Sequence, residues 1–93
     1  MEIIWSAKAR IAFFMVLDYL EKNWSKTELL QFNRKTELVI QAIQKNPGII
    51  APSSKHKSIR RAIIDKNNSL YYQVDKKKQK NLLADIFRQP PKS

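Results

Sequence analysis

Across residues 47–57 the hydrophobic pattern of this chain changes from a helical repeat to the alternation of strands, and that single change leaves few folds open. Upstream, Phe13, Val16, Leu17, Leu20 and Trp24 fall at i, i+3, i+4, i+7 and i+11. This is one stripe of a helix that Ser6 caps and that runs to about Asn23. Ile11, Met15 and Tyr19 lie on a neighbouring face, and a wide core contact is expected to cover them. Ser25-Lys26-Thr27-Glu28 is a capping box that opens a second helix. Its stripe is Leu29, Phe32, Thr36, Val39, Ile40 and Ile43, and Asn46-Pro47-Gly48 ends it. With so short a link between them, the two helices are expected to pair as an antiparallel hairpin.

Downstream, three strand-like runs follow: Ser58 to Asp65, Ser69 to Val74, and Asn81 to Phe87. Lys66-Asn67-Asn68 suits the first turn because Asn tolerates positive φ, and Asp75 to Lys78 forms a second, charged turn. Consecutive strands with short turns make an antiparallel meander, which the short run Glu2-Ile3-Ile4-Trp5 is expected to join. The expected order is β-α-α-β-β-β, an α+β fold with the helical hairpin packed on a small, mostly antiparallel sheet. At 93 residues the chain is long enough for one core. It is expected to form a single domain over residues 1–93, with an irregular tail at 89–93.

Charge is unevenly placed along this order. The net charge is +10; residues 1–46 carry seven Lys/Arg against five Asp/Glu, whereas residues 47–93 carry eleven against three. Such a bias favours acidic or phosphate-bearing partners. The absence of cysteine rules out disulfides and thiolate metal sites. The apolar run Ile11 to Leu17 is too short to span a bilayer. Lys8 and Arg10 precede it as in a signal peptide, but no small-residue cleavage site follows. A soluble, cytoplasmic chain with no membrane association is expected.

Conventional catalytic chemistry finds little support. His56 is the one histidine and the carboxylates are scattered, so no metal site is expected. A single glycine provides no phosphate-cradling loop, no nucleophile-elbow motif supports a Ser/His/Asp arrangement, and no cofactor is expected. Asp65 and Asp75 border turns, and Asp85 is expected to pair with an Arg of a neighbouring strand. What remains is a basic set of Lys55, Lys57, Arg60, Arg61, Lys66 and Arg88. Strand parity groups Lys55, Lys57 and Arg61 with Ile59 and Ile63, and Arg60 with Ala62 and Ile64. Without a bulge, then, one of Arg60 and Arg61 is free to contact a partner and the other is an edge or core-rim charge. Tyr71 and Tyr72 divide in the same way, one ring under the helices and the other open to a base or an apolar partner. Lys76-Lys77-Lys78 reads as a solvated charge cluster.

Taken in order, these segments resemble the RelE/ParE superfamily, toxins of bacterial type II toxin–antitoxin systems. Ile4-Trp5-Ser6-Ala7-Lys8-Ala9 is similar to the family's strand-to-helix opening, and Asp18-Tyr19-Leu20 and Ile43-x-x-Asn46-Pro47 are similar to its helical pattern. Ser69-Leu70-Tyr71-Tyr72-Gln73-Val74 resembles its central strand. Leu82-Leu83-x-x-Ile86-Phe87 with Arg88-Gln89-Pro90 resembles the last strand and terminal Arg of plasmid-stabilisation-type members. The resemblance implies a ParE-like toxin that arrests growth by inhibiting DNA gyrase and is neutralised by a cognate acidic antitoxin. The alternative it implies is a RelE-like, ribosome-dependent mRNA interferase using Lys57, Arg60, Arg61 and Arg88. A non-toxic RNA-binding module is a third reading. Ser69 stands where RelE-like members place an Arg, and neither Tyr nor His follows Arg88, so no catalytic residue is assigned. The expected target- or antitoxin-binding set is Lys55, Lys57, Arg60, Arg61, Tyr71, Tyr72 and Arg88.

Overall fold

In the computed structural model, which describes residues 2–52 and 58–88, the elements are β1 (Glu2–Trp5), α1 (Ala7–Asn23), α2 (Lys26–Lys45), β2 (Arg60–Ile63), β3 (Asn68–Asp75) and β4 (Lys80–Arg88). Their order along the chain is the β-α-α-β-β-β expected. The sheet order is β1-β4-β3-β2; β2, β3 and β4 form the antiparallel meander, and β1 lies parallel to β4 with Trp5 opposite Leu83.

Ser6 joins the first strand to the first helix and both to the last strand. Its hydroxyl accepts from the Ala9 N–H at 3.0 Å, which satisfies an otherwise unpaired donor of the first turn of α1. The same hydroxyl donates to the Ala84 carbonyl at 3.0 Å, and the Ser6 N–H donates to the Leu83 carbonyl at 3.0 Å. The start of α1 is thereby fixed on β4. Ser25 caps α2 through the Glu28 N–H at 3.2 Å, as the capping box predicts.

The core lies between the helical hairpin and one face of the sheet. Val16 and Leu20 of α1 and Phe32 and Ile43 of α2 meet Ala62, Leu70, Tyr72, Leu83 and Ile86 of the strands. Phe13 links three elements, edge-on to Trp5 of β1 at 5.5 Å and stacked on Phe32 of α2 at 5.7 Å. Thr36 is buried on the α2 stripe because its hydroxyl is satisfied locally, donating to the Phe32 carbonyl at 2.8 Å.

Three expectations need correction. Trp24 is 52% exposed, because α1 ends at Asn23 and the extended backbone at Trp24 carries its ring off the stripe. Ile11 and Met15 are 60% and 67% exposed, and Phe14 is exposed beside them, so of that face only Tyr19 packs against the core. The physical reason is the narrow sheet: α1 packs over β4, and the edge strand beyond it is only four residues long. Lastly, the turn between β2 and β3 does not rest on a positive φ at Asn. The Asp65 carboxylate accepts from the Asn67 N–H at 2.8 Å and the Asn68 N–H at 2.9 Å, which closes the turn without left-handed backbone. Among the described residues, the left-handed conformation falls instead on Gln79, at φ 54°, in the turn before β4.

Candidate functional site

The two adjacent arginines of β2 face opposite sides of the sheet. Ala62 and Ile64 point into the core, and Arg60 shares their side at the start of the strand. There its guanidinium donates to the Ile50 carbonyl, so it ties the preceding loop to the core rim. Arg61 points to the open face with the exposed Ile63, and its Nε donates to Ser69 Oγ at 3.0 Å. Pairing between β2 and β3 runs unbroken from Arg60 opposite Tyr72 to Ile63 opposite Ser69, so no bulge brings the two arginines together.

The tyrosines of β3 separate by the same alternation. Tyr72 is fully enclosed beneath the helices, and its hydroxyl donates to the Pro47 carbonyl at 3.1 Å. Its inclusion among the partner-contacting residues is therefore corrected: the ring is part of the core. Burial pushes the Tyr72 phenol above its ordinary 10.0, while the nearby Arg60 charge acts in the opposite direction. Tyr71 is half-buried on the other face. Between these two residues the β3–β4 register shifts, Tyr71 opposing Asp85 and Tyr72 opposing Leu83. Ala84 is the extra residue of this bulge, and its carbonyl is the one that accepts from Ser6. Beside it Asp85 pairs with Lys8 of α1 at 3.3 Å rather than with an Arg of a neighbouring strand. Its direct cross-strand neighbour on β3 is Tyr71, which carries no charge to pair with it.

Arg88 lies at the far end of β4, on the helix side, with its guanidinium 4.7 Å from the centre of the Tyr19 ring. On one side of it is a cavity of about 220 Å³ with a polar wall of Asp65, Lys66, Asn67 and Asn68. On the other is an apolar groove of about 280 Å³ formed by Met15, Val16, Tyr19, Ile86 and Phe87. From Arg88 to Arg60 the register counts four residues along the strands and two strands across, about 13 Å by about 10 Å. Arg60, Arg61 and Arg88 therefore do not converge on one phosphate. Lys55 and Lys57, and with them His56 and the tail after Arg88, lie outside the described residues.

A feature that sequence reading passed over is at the opposite end of the sheet. Lys76, Lys77 and Lys78 of the turn after β3, with Lys80 and Arg60, border an open concavity of about 720 Å³ whose apolar floor includes Ile4, Val74 and Leu82. The signal was the Lys76-Lys77-Lys78 run itself; what a linear reading lacks is Arg60, brought alongside from another strand. Among the described residues no group of three or more metal-ligating side chains occurs, and no helix is long and apolar enough to cross a membrane. Asn81 is fully buried with neither amide atom hydrogen-bonded, and nothing in the structure explains that choice of residue.

No protein-family model and no curated protein matches the sequence. Solved structures do match. A chain of the chromosomal ParDE TA system from P. aeruginosa superimposes with a TM-score of 0.78 at 15% identity, covering 97% of each chain. The YoeB/ParE toxin from Agrobacterium tumefaciens gives a TM-score of 0.65 at 10% identity, over 97% of this chain and 100% of that one. The YoeB dimer from Staphylococcus aureus gives 0.61 at 20% identity, over 97% and 98%. At these identities what is shared is the fold. Two helices on a four-stranded mixed sheet is the ParE/RelE-like arrangement, as the sequence resemblance implied.

Proposed function

We propose that this chain is the toxin component of a type II toxin–antitoxin module, that it is ParE-like, and that it arrests growth by inhibiting DNA gyrase. The observation that carries this reading is the likeness, over 97% of both chains, to a chain of the P. aeruginosa ParDE system. The dispersal of the basic groups supports a binding protein over a nuclease. RNA cleavage needs cationic stabilisation and proton transfer at one phosphate, whereas Arg60 is tied to Ile50, Arg61 faces away from it, and Arg88 sits on Tyr19. A net charge of +10 favours a cognate antitoxin that is acidic. Arg88, flanked by a polar cavity and an apolar groove, is the residue we assign to contact with target or antitoxin, together with Arg61 and Tyr71.

The test is tightly controlled expression followed by two assays on purified protein: gyrase supercoiling and mRNA cleavage on translating ribosomes. Growth arrest with loss of supercoiling and intact mRNA is the expected outcome. Codon-positioned mRNA cleavage with normal supercoiling would replace it with the RelE-like reading, and unaffected growth would remove the toxin reading altogether. Arg88→Ala is expected to lower inhibitory potency at least about tenfold, the effect of losing a charged contact at an interface. Full potency in a folded Arg88→Ala protein would dismiss Arg88 as a contact.

A further inference from the structure

We propose that the lysine turn between β3 and β4 is a separate binding surface for the phosphate backbone of duplex DNA. This goes beyond the growth-arrest reading and holds whether or not gyrase is the target. Lys76, Lys77, Lys78, Lys80 and Arg60 border the concavity of about 720 Å³, against a single carboxylate, Asp75. That carboxylate does not neutralise them. It accepts from the Lys78 N–H at 3.1 Å, and the ion pairs among the described residues are Lys8–Asp85 and Lys22–Asp18, both elsewhere. Four lysines, with Arg60 beside them held through its guanidinium on the Ile50 carbonyl, thus line one recess without an ion-pair partner among the described residues. Such a surface attracts a polyanion.

The turn holds a defined shape. Besides the Asp75 contact, Gln79 Nε2 donates to the Lys76 carbonyl at 2.9 Å, and Gln79 occupies left-handed backbone at φ 54°. Three exposed lysines are therefore carried on a fixed hairpin tip. The lining decides which polyanion fits. Ile4, Val74 and Leu82 supply the apolar floor and, among the described residues, no aromatic ring takes part, so single strands, which bind by base stacking, find no platform there. Contact with phosphates needs no such ring. Among the described residues, β3 beyond Tyr72 has lost β2 but β4 is still flanked by β1 as far as Lys80, so what projects from the sheet is the hairpin turn Lys76–Gln79 alone. The major groove of B-DNA is wide enough to admit a hairpin tip of this kind, whereas the deep, narrow major groove of A-form RNA is not.

The experiment is fluorescence anisotropy of a labelled 20-base-pair DNA duplex across a salt series, with three proteins. The wild type is compared with Lys76→Ala/Lys77→Ala/Lys78→Ala and with Lys26→Ala/Lys35→Ala/Lys45→Ala, which removes the same charge from exposed positions on α2. The turn variant is expected to show a log Kd against log salt slope shallower by about 2 to 3, and the α2 variant by less than about 1. Single-stranded DNA and double-stranded RNA of equal length are expected to bind more weakly than the duplex. Circular dichroism checks folding, and the single Lys77→Glu substitution repeats the test should the triple variant fail to fold. Equal losses in the two triple variants would reduce the effect to net charge and overturn the proposal. Tighter binding of single strands or of RNA, or no duplex binding at low salt, would overturn it as well.

Discussion

Tyr71 and Tyr72 are neighbours in the chain and differ completely in role. The Tyr72 ring is enclosed, and its hydroxyl holds the end of the helical hairpin through Pro47. Because burial raises its phenol above 10.0, the folded state retains the proton more tightly than the unfolded chain does. The associated stability is fully present below pH 10.0 and is lost as pH rises through the elevated folded value. Tyr72→Phe removes both the hydrogen bond and the titration. It is expected to lower stability at neutral pH by about 0.5–1.5 kcal/mol and to flatten the decline above pH 10.0 relative to wild type. Urea unfolding of both proteins at neutral and alkaline pH measures this; parallel alkaline declines would contradict the assignment. At this scale the sequence predicted that one tyrosine is covered and one is not, since alternation requires it. Which one is covered also has a local signal, since Leu70 and Val74 share the parity of Tyr72 whereas Ser69 and Gln73 share that of Tyr71.

The two helices show what a cap contributes when it is local and when it is not. Ser25 satisfies one N–H of its own helix, and its hydroxyl makes no further hydrogen bond among the described residues. Ser6 caps α1 and also donates to the Ala84 carbonyl at the β4 bulge. Ser25→Ala is expected to cost about 1 kcal/mol, the usual value for an N-cap. Ser6→Ala is expected to cost about 2 kcal/mol, because a second, partly buried hydrogen bond is lost with the cap. Equal losses in chemical denaturation would show that the Ala84 contact contributes nothing. Both caps were legible from residue type and spacing, because capping acts within four residues. The second function of Ser6 was not, because its partner lies 78 positions away.

For the molecule as a whole, the small sheet leaves one side of α1 uncovered. Leu20 is 4% exposed, while Ile11 and Met15, equally apolar, stand in solvent. Their replacement together by Lys is expected to change the unfolding free energy by less than about 1 kcal/mol, against about 2–5 kcal/mol for Leu20→Ala. A large loss in the Ile11/Met15 variant would mean that this face is core after all. The same global geometry sets the basic residues apart. Arg60, Arg61 and Arg88 lie within thirty positions of one another, yet the meander sends them to the core rim, the open face and the far end of the helices.

The identity and order of the elements and the starts of both helices were set by the sequence, through periodicity, two N-caps and the turn-forming segments, all of which operate between residues a few positions apart. The uneven charge was set there too. The tertiary structure alone decided that β1 runs parallel to β4, that a bulge falls at Ala84, and that Arg60 joins the lysine turn rather than Arg61 or Arg88. These depend on strand register and layer packing, which are determined by which distant surfaces bury each other best. A local pattern specifies that a surface must be buried; only the assembled chain specifies against what.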